Sequence, residues 1–233
     1  PKEIIKSKFL VKSKLNYAEN LLSKNDNSKA VTFISENGYR EEKSWNELNN
    51  NTLKLIKFFK DNKIKEKDRI AAYTANQIET VESFIASSAI GAIWSSCSPD
   101  FGTQGVIERF SQIKPKLLII TDRYYYNGKE INVLERLPAI LKKIKYIKSV
   151  LIINYPGKKN LKQKKIKGIK IFYFNKLKHK VKSKITFKKF DFDKELAILY
   201  SSGTTGKPKC ICHRAGGVLL QHLKEHKLHC NVK

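Results

Sequence analysis

Nine consecutive residues, Ser201-Ser202-Gly203-Thr204-Thr205-Gly206-Lys207-Pro208-Lys209, bring four hydroxyls, two glycines and two lysines together. The chemistry they suit is the holding of an anion. Gly203 and Gly206 take backbone torsions that other residues resist, so main-chain N–H groups can converge on an oxyanion. The hydroxyls of Ser201, Ser202, Thr204 and Thr205 add donors, and Lys207 and Lys209 add mobile cations matched to phosphate. Pro208 restricts Lys207 and stiffens the exit of the loop. This is not a Walker A loop, because Gly206-Lys207 is followed by Pro208 rather than Ser or Thr. Composition alone leaves a plain surface turn equally open, since Ser, Gly and Thr gather in turns for local reasons.

A second cluster follows closely. Cys210, Cys212, His213, His222, His226, His229 and Cys230 fall within 21 residues. On a helix His222, His226 and His229 share a face, a spacing that can hold Zn²⁺. The Cys-x-Cys pair, however, lacks the gap of two or more residues usual between zinc thiolates, and no metal is assigned.

The elements that must position these residues alternate along the chain. Residues 31–35 and 39–43 flank Asn37-Gly38 and read as a β-hairpin. Ser44 and Glu47 have capping-box spacing ahead of a helix whose apolar face is Leu48, Leu53, Leu55, Ile56 and Phe59. Strands are expected at 69–74, 92–96, 116–121, 149–154, 169–174 and 196–200. Helices are expected at 77–89, 103–113 with Thr103 as cap, 131–144 and 217–228. Alternation of this kind implies an α/β fold, with a mostly parallel sheet flanked by helices on both faces. Ligands in such sheets bind beyond the carboxyl ends of strands, which is where a loop leading from Tyr200 towards the last helix would lie.

The chain has 233 residues and a formal net charge of +26, from 47 Lys+Arg against 21 Asp+Glu. A charge of that size first suggests a nucleic-acid partner. Its distribution argues otherwise. Residues 136–190 contain no acid and carry +19, leaving +7 for the rest. Only 6 of the 47 basic residues are Arg, the side chain that reads guanine and phosphate in two-point contacts. Aromatics among lysines can stack bases, and Phe172, Tyr173, Phe174, Phe187 and Phe190 interleave with lysines here. We read residues 169–174 as a strand whose aromatics cover the sheet, with lysines in solvated flanking loops, and expect no nucleic-acid partner.

Four cysteines are too few and too unevenly placed for a disulfide framework, and no signal-peptide pattern opens the chain. The longest apolar run, 85–94, is well short of the ~20 residues of a membrane span. A soluble, cytoplasmic protein without a membrane partner is expected. The chain starts at Pro1 and contains no Met, which reads as a fragment.

The full string from Leu199 to Lys209 resembles the phosphate-binding signature of the adenylate-forming superfamily, the acyl-CoA synthetases, luciferases and nonribosomal adenylation domains. The continuation from His213 to Cys230 is similar, within that superfamily, to the acetoacetyl-CoA synthetase branch. So are the segments Ile90 to Gly102 and Arg109 to Lys116. The resemblance covers essentially the whole chain but only the first part of such an enzyme, implying the N-terminal part of the large AMP-binding domain, with the C-terminal domain absent.

Such a resemblance implies an AMP-forming acid–thiol ligase. Acetoacetate would attack the α-phosphorus of ATP, pyrophosphate would leave, and CoA would then displace AMP to give acetoacetyl-CoA. Mg²⁺ and the loop would share the charge of the leaving pyrophosphate. On this reading Ser201, Ser202, Gly203, Thr204, Thr205, Gly206 and Lys209 hold the ATP phosphates, and Lys129 meets a CoA phosphate. Acetate or propionate remain alternative acids. The family's adenine, ribose and hinge segments and its C-terminal catalytic lysine have no counterpart before Lys233. The isolated chain is therefore expected to be inactive, to bind ATP weakly or not at all, and to need the missing C-terminal part as its partner.

Overall fold

A computed structural model describes residues 10–159, 161–162, 165–177, 185–201 and 206–232. The chain enters through β1 (Lys14–Leu15) and α1 (Tyr17–Leu21), the latter capped by Asn16, whose side chain accepts from the Ala18 amide. The expected hairpin follows as β2 (Lys29–Ile34) and β3 (Arg40–Ser44). Then comes α2 (Trp45–Asp61), opened by the capping box of Ser44 and Glu47.

The sheet begins at β4 (Arg69–Tyr73), followed by α3 (Ile78–Ala89) and β5 (Ile93–Cys97). Next are α4 (Thr103–Ile113) and β6 (Leu117–Thr121). The N-cap of α4 is Gly102 rather than Thr103, and no side chain caps it. A hairpin of β7 (Arg123–Tyr126) and β8 (Lys129–Asn132) then turns at Asn127-Gly128, both at positive φ. Here the expected helix at 131–144 is corrected: its first residues finish β8, a 3₁₀ turn covers Leu134–Arg136, and α5 spans only Leu137–Lys143. Ile131, Leu134 and Leu137 have helical spacing, but Asn-Gly and three tyrosines favour a hairpin over that stretch.

The chain continues through β9 (Ser149–Ile153), β10 (Lys170–Tyr173) and β11 (Phe190–Asp191), which pairs with β1. It closes with β12 (Glu195–Ser201), β13 (Lys209–Arg214) and α6 (Ala215–Lys224), extended by a wider π-helical turn over Glu225–His229. Strand order in the seven-stranded sheet is β10-β9-β6-β4-β5-β12-β13. Every pairing is parallel except β12 with β13. Strand β13 is a second correction: the loop after Tyr200 does not run straight to the last helix but returns along β12 first.

Alternation along the strands builds two apolar layers. Ile70, Ala72, Leu117, Ile119, Leu151 and Ile153 face α2 and α3. Ala71, Tyr73, Leu118, Ile120, Val150 and Ile152 face α4 and α5. All twelve are completely buried, which is why these strands read as unbroken apolar runs. Phe172 packs edge-on against Phe58 at 5.0 Å, and Phe174 is buried, so these aromatics belong to the core rather than to a base-stacking face. Among the described residues no helix is long and apolar enough to cross a membrane.

Candidate functional site

Strands β12 and β13 form an antiparallel hairpin in which Ser201 and Lys209 are directly opposed. The hydroxyl and the cation at the two ends of the glycine-rich segment are thus held side by side. Gly206 sits at φ +117° with open space where a Cβ would be, so the torsion and not crowding requires glycine. Lys207 and Lys209 are exposed. Of the residues expected at the phosphates, Ser201 and Lys209 are paired and Gly206 lies just ahead of β13, while Ser202, Gly203, Thr204 and Thr205 lie outside the described residues. Helix α6 begins only at Ala215. The described ends of the segment, Ser201 and Lys209, therefore belong to paired strands, and no helix begins directly behind them.

Both roots of the hairpin rest on α4. Tyr200 Oη donates to the Arg109 carbonyl at 3.2 Å and accepts from Ser95 Oγ, 3.1 Å away. Ser95 Oγ also lies 2.8 Å from the Ile198 carbonyl, joining β5 to β12. On the returning strand, Gln112 Nε2 donates to the Pro208 carbonyl at 2.9 Å, and the Cys210 thiol donates to Gln112 Oε1 at 3.6 Å. Burial pushes the Tyr200 phenol well above its ordinary range, with the Ser95 hydrogen bond opposing weakly. It stays a neutral donor.

Among the described residues Arg109 makes no ion pair. Its guanidinium stacks over the Phe101 ring at 4.1 Å and donates to the Gly105 carbonyl at 2.9 Å. Beneath it, burial pushes the Cys97 thiol up to about 12 with Arg109 opposing, so Cys97 is an inert packing thiol and not a nucleophile.

The neighbouring loop, between β5 and α4, is locked from below. Tyr73 Oη donates to the carbonyls of Phe101 at 2.5 Å and Pro99 at 3.1 Å. Arg136 donates to the Tyr73 hydroxyl and to the Pro99 and Phe101 carbonyls at 2.8 and 3.1 Å. Neither Tyr73 nor Arg136 carries a signal in the sequence, because their partners lie 26 to 63 residues away.

Lys129 sits on β8 opposite Tyr126, exposed, at the carboxyl edge of the sheet. The ends of β6 and β12 are three strand spacings apart, about 14 Å. Lys129 thus lies on the hairpin that follows the carboxyl end of β6, and the glycine-rich segment follows the carboxyl end of β12. His222 Nδ1 lies 3.1 Å from Tyr17 Oη, and the His222 and His226 rings are 6.1 Å apart. Among the described residues no group of three or more His, Cys, Asp or Glu side chains is arranged to hold a metal ion.

The outer face of the hairpin is apolar and open. Leu199 is 44% exposed and Ile211 46%. Behind them runs a groove of about 700 Å³ floored by Trp94, Leu196 and Val218.

Comparison with known proteins agrees with this geometry. The chain is 39% identical over 230 residues to a Rhizobium meliloti (strain 1021) protein named acetoacetyl-coenzyme A synthetase, covering 99% of this chain and 35% of that protein. It is 42% identical over 226 residues to the acetoacetyl-CoA synthetase of Gallus gallus, covering 94% and 34%. The solved structure of the acetoacetyl-CoA synthetase from Streptomyces lividans superposes with a TM-score of 0.84 at 30% identity, over 94% of this chain and 33% of that one. The chain thus spans about a third of the length of the relatives it matches. The family described as AMP-binding enzyme matches residues 20–231, and with the hairpin-borne glycine loop at the carboxyl edge of a parallel sheet, the chain belongs to that family.

Proposed function

We propose that this chain is the N-terminal portion of the AMP-binding domain of a cytoplasmic, AMP-forming acetoacetate–CoA ligase. The observation that carries the reading is the β12–β13 hairpin, which opposes Ser201 to Lys209 at the root of the sequence Ser-Ser-Gly-Thr-Thr-Gly-Lys-Pro-Lys. The residues present fit a nucleotide's phosphates: hydroxyl donors, a positive-φ glycine and two unburied lysines in one turn. ATP with Mg²⁺ would supply the adenylyl group that activates the acid. The part of this chain is to hold the pyrophosphate end, where Ser201 and Lys209 offset the negative charge that grows as the bond to the α-phosphorus breaks. Lys129, further along the same edge, is proposed to meet a phosphate of CoA.

The open apolar face of Leu199, Ile211 and the groove behind them fits a surface completed by the remaining two-thirds of such an enzyme. The acid itself is assigned through the relatives' names, with acetate and propionate as the competing substrates.

The test joins this chain to the complementary two-thirds of the Gallus gallus relative and measures pyrophosphate release with ATP and Mg²⁺. Release dependent on acetoacetate, and reduced by about 10- to 100-fold in Lys209→Ala, is expected for loss of one charge-assisted contact. Equal turnover of acetate and propionate would displace acetoacetate as the substrate. A soluble, folded chimera with no release for any of the three acids would overturn the ligase reading.

A further inference from the structure

The opposite edge of the sheet carries a second cavity, of about 680 Å³, within the range of small-molecule sites. It opens between the C-terminal half of α2 and residues 185–190, beside the segments that precede β4 and β5. The length of a five-residue strand, about 16 Å, separates it from the glycine-rich edge. Nothing in the ligase reading uses it.

Its walls are fixed. The Asn16 side chain is completely buried and its Nδ2 donates to both the Lys188 carbonyl at 2.9 Å and the Ala89 carbonyl at 3.0 Å. One amide therefore stitches residues 185–190 to the end of α3. Phe190 closes over Gly91, and Lys188 pairs with Glu66 at 2.8 Å. The cavity is formed in advance rather than opened by a ligand.

Its chemistry is divided. Ile56 and Ile64 are buried at the floor, and Leu53, Ile90 and Ile185 continue it as partly exposed apolar surface. The rim is cationic. Lys57 is engaged by Asp61 at 3.1 Å, whereas Lys60 and Lys65 are exposed and, among the described residues, without an ion pair. An apolar trough with two free ammonium groups at its lip suits a ligand with an aliphatic tail and one anionic end.

We propose that this cavity binds a medium-chain carboxylate, its tail along Leu53, Ile64, Ile90 and Ile185 and its carboxylate between Lys60 and Lys65. The site rests on the cavity alone and stands or falls independently of the ligase reading. Because burial of a methylene is worth about 0.8 kcal/mol, affinity should rise about threefold to fourfold with each added carbon until the trough is full. A two-ended ligand bridging α2 and residues 185–190 should also raise the melting temperature.

Titration calorimetry of the full chain with octanoate, decanoate and decanol, below their micellar concentrations, tests this. Decanoate is expected to bind about tenfold more tightly than octanoate and at least tenfold more tightly than decanol. The double variant Lys60→Ala/Lys65→Ala should weaken decanoate at least tenfold, and Ile185→Asp should abolish it. Lys142→Ala/Lys143→Ala, which removes two exposed lysines on α5, should leave it unchanged. Circular dichroism establishes that each variant is folded. No decanoate binding at millimolar concentration, equal binding of decanol, or equal loss in the Lys142/Lys143 variant would overturn the proposal.

Discussion

The side-chain amide of Gln112 and the carbonyl of Pro208 are hydrogen bonded at 2.9 Å across 96 residues of sequence. Through this bond the helix that follows β5 grips the exit of the glycine-rich turn. A net contribution of about 1 kcal/mol is typical for such a contact. In Gln112→Ala, the amides of Lys207, Lys209 and Cys210 should exchange about fivefold faster in hydrogen-exchange mass spectrometry, with little change at β4, β6 and β9. Unaltered exchange at those three amides would show that the bond does not restrain the turn.

Tyr73 is the keystone of the adjoining loop, its hydroxyl donating to Phe101 and accepting from Arg136. Tyr73→Phe keeps the ring in its buried place and removes only that hydroxyl. A loss of about 1–3 kcal/mol is expected, or about 2–8 °C in melting temperature for a chain of this size. A thermal melt followed by circular dichroism checks it.

The β-α alternation was legible because β6 and β9 are buried on both faces, so Leu117 to Thr121 and Ser149 to Ile153 stand out as apolar runs. The capping box at Ser44 and Glu47 was equally local. What escaped depended on distant partners. Strand β13 is an edge strand of exposed residues, and Cys210-Ile211-Cys212 has no alternation that marks it as a strand until β12 lies beside it. The glycine loop itself was readable from its residue types, but its supports, Tyr200 on Arg109 and Gln112 on Pro208, link positions about 90 residues apart.

Stability should depend on pH through Glu82. It is completely buried beside Lys43, at 3.4 Å, and Asn51, at 2.8 Å, with Glu79 and Glu41 on the same lysine. Burial, reinforced by Glu79 and opposed by Lys43, raises its pKa to about 7. The native state therefore holds this proton more tightly than the unfolded chain does. The stabilisation it brings is complete below the ordinary carboxylate range and is lost as pH rises through 7. Lys43, whose own pKa is raised, contributes stability that is fully present across this window and is lost only at alkaline pH, so it leaves the window unchanged. Glu82→Gln should flatten the decline between pH 5 and 8, by up to about 3 kcal/mol, in urea titrations at each pH. A decline as steep as that of the unmodified chain would exclude Glu82 as its source.

Gly91 should tolerate no side chain. It adopts φ +70°, and a Cβ there would lie 2.6 Å from a ring carbon of Phe190. Left-handed strain and the displacement of a buried ring together predict a cost of about 2–4 kcal/mol for Gly91→Ala. The midpoint of urea unfolding should fall accordingly, with the slope unchanged.

The position of β12 in the sheet has a kinetic consequence. The pairings among β4, β5, β6 and β9 join strands near one another in sequence, whereas β5 meets β12 across a bond from Ser95 to Ile198 that spans 103 residues. Closing so long a loop costs little more free energy than closing one half its length, about 0.6 kcal/mol, but contacts of long range form late. During refolding, pulse-labelled exchange should find Ile198 and Ile211 protected after Ile119 and Leu151. Assembly should then run from the centre of the sheet outwards, and the β12–β13 hairpin comes into existence last, on a scaffold that is already complete.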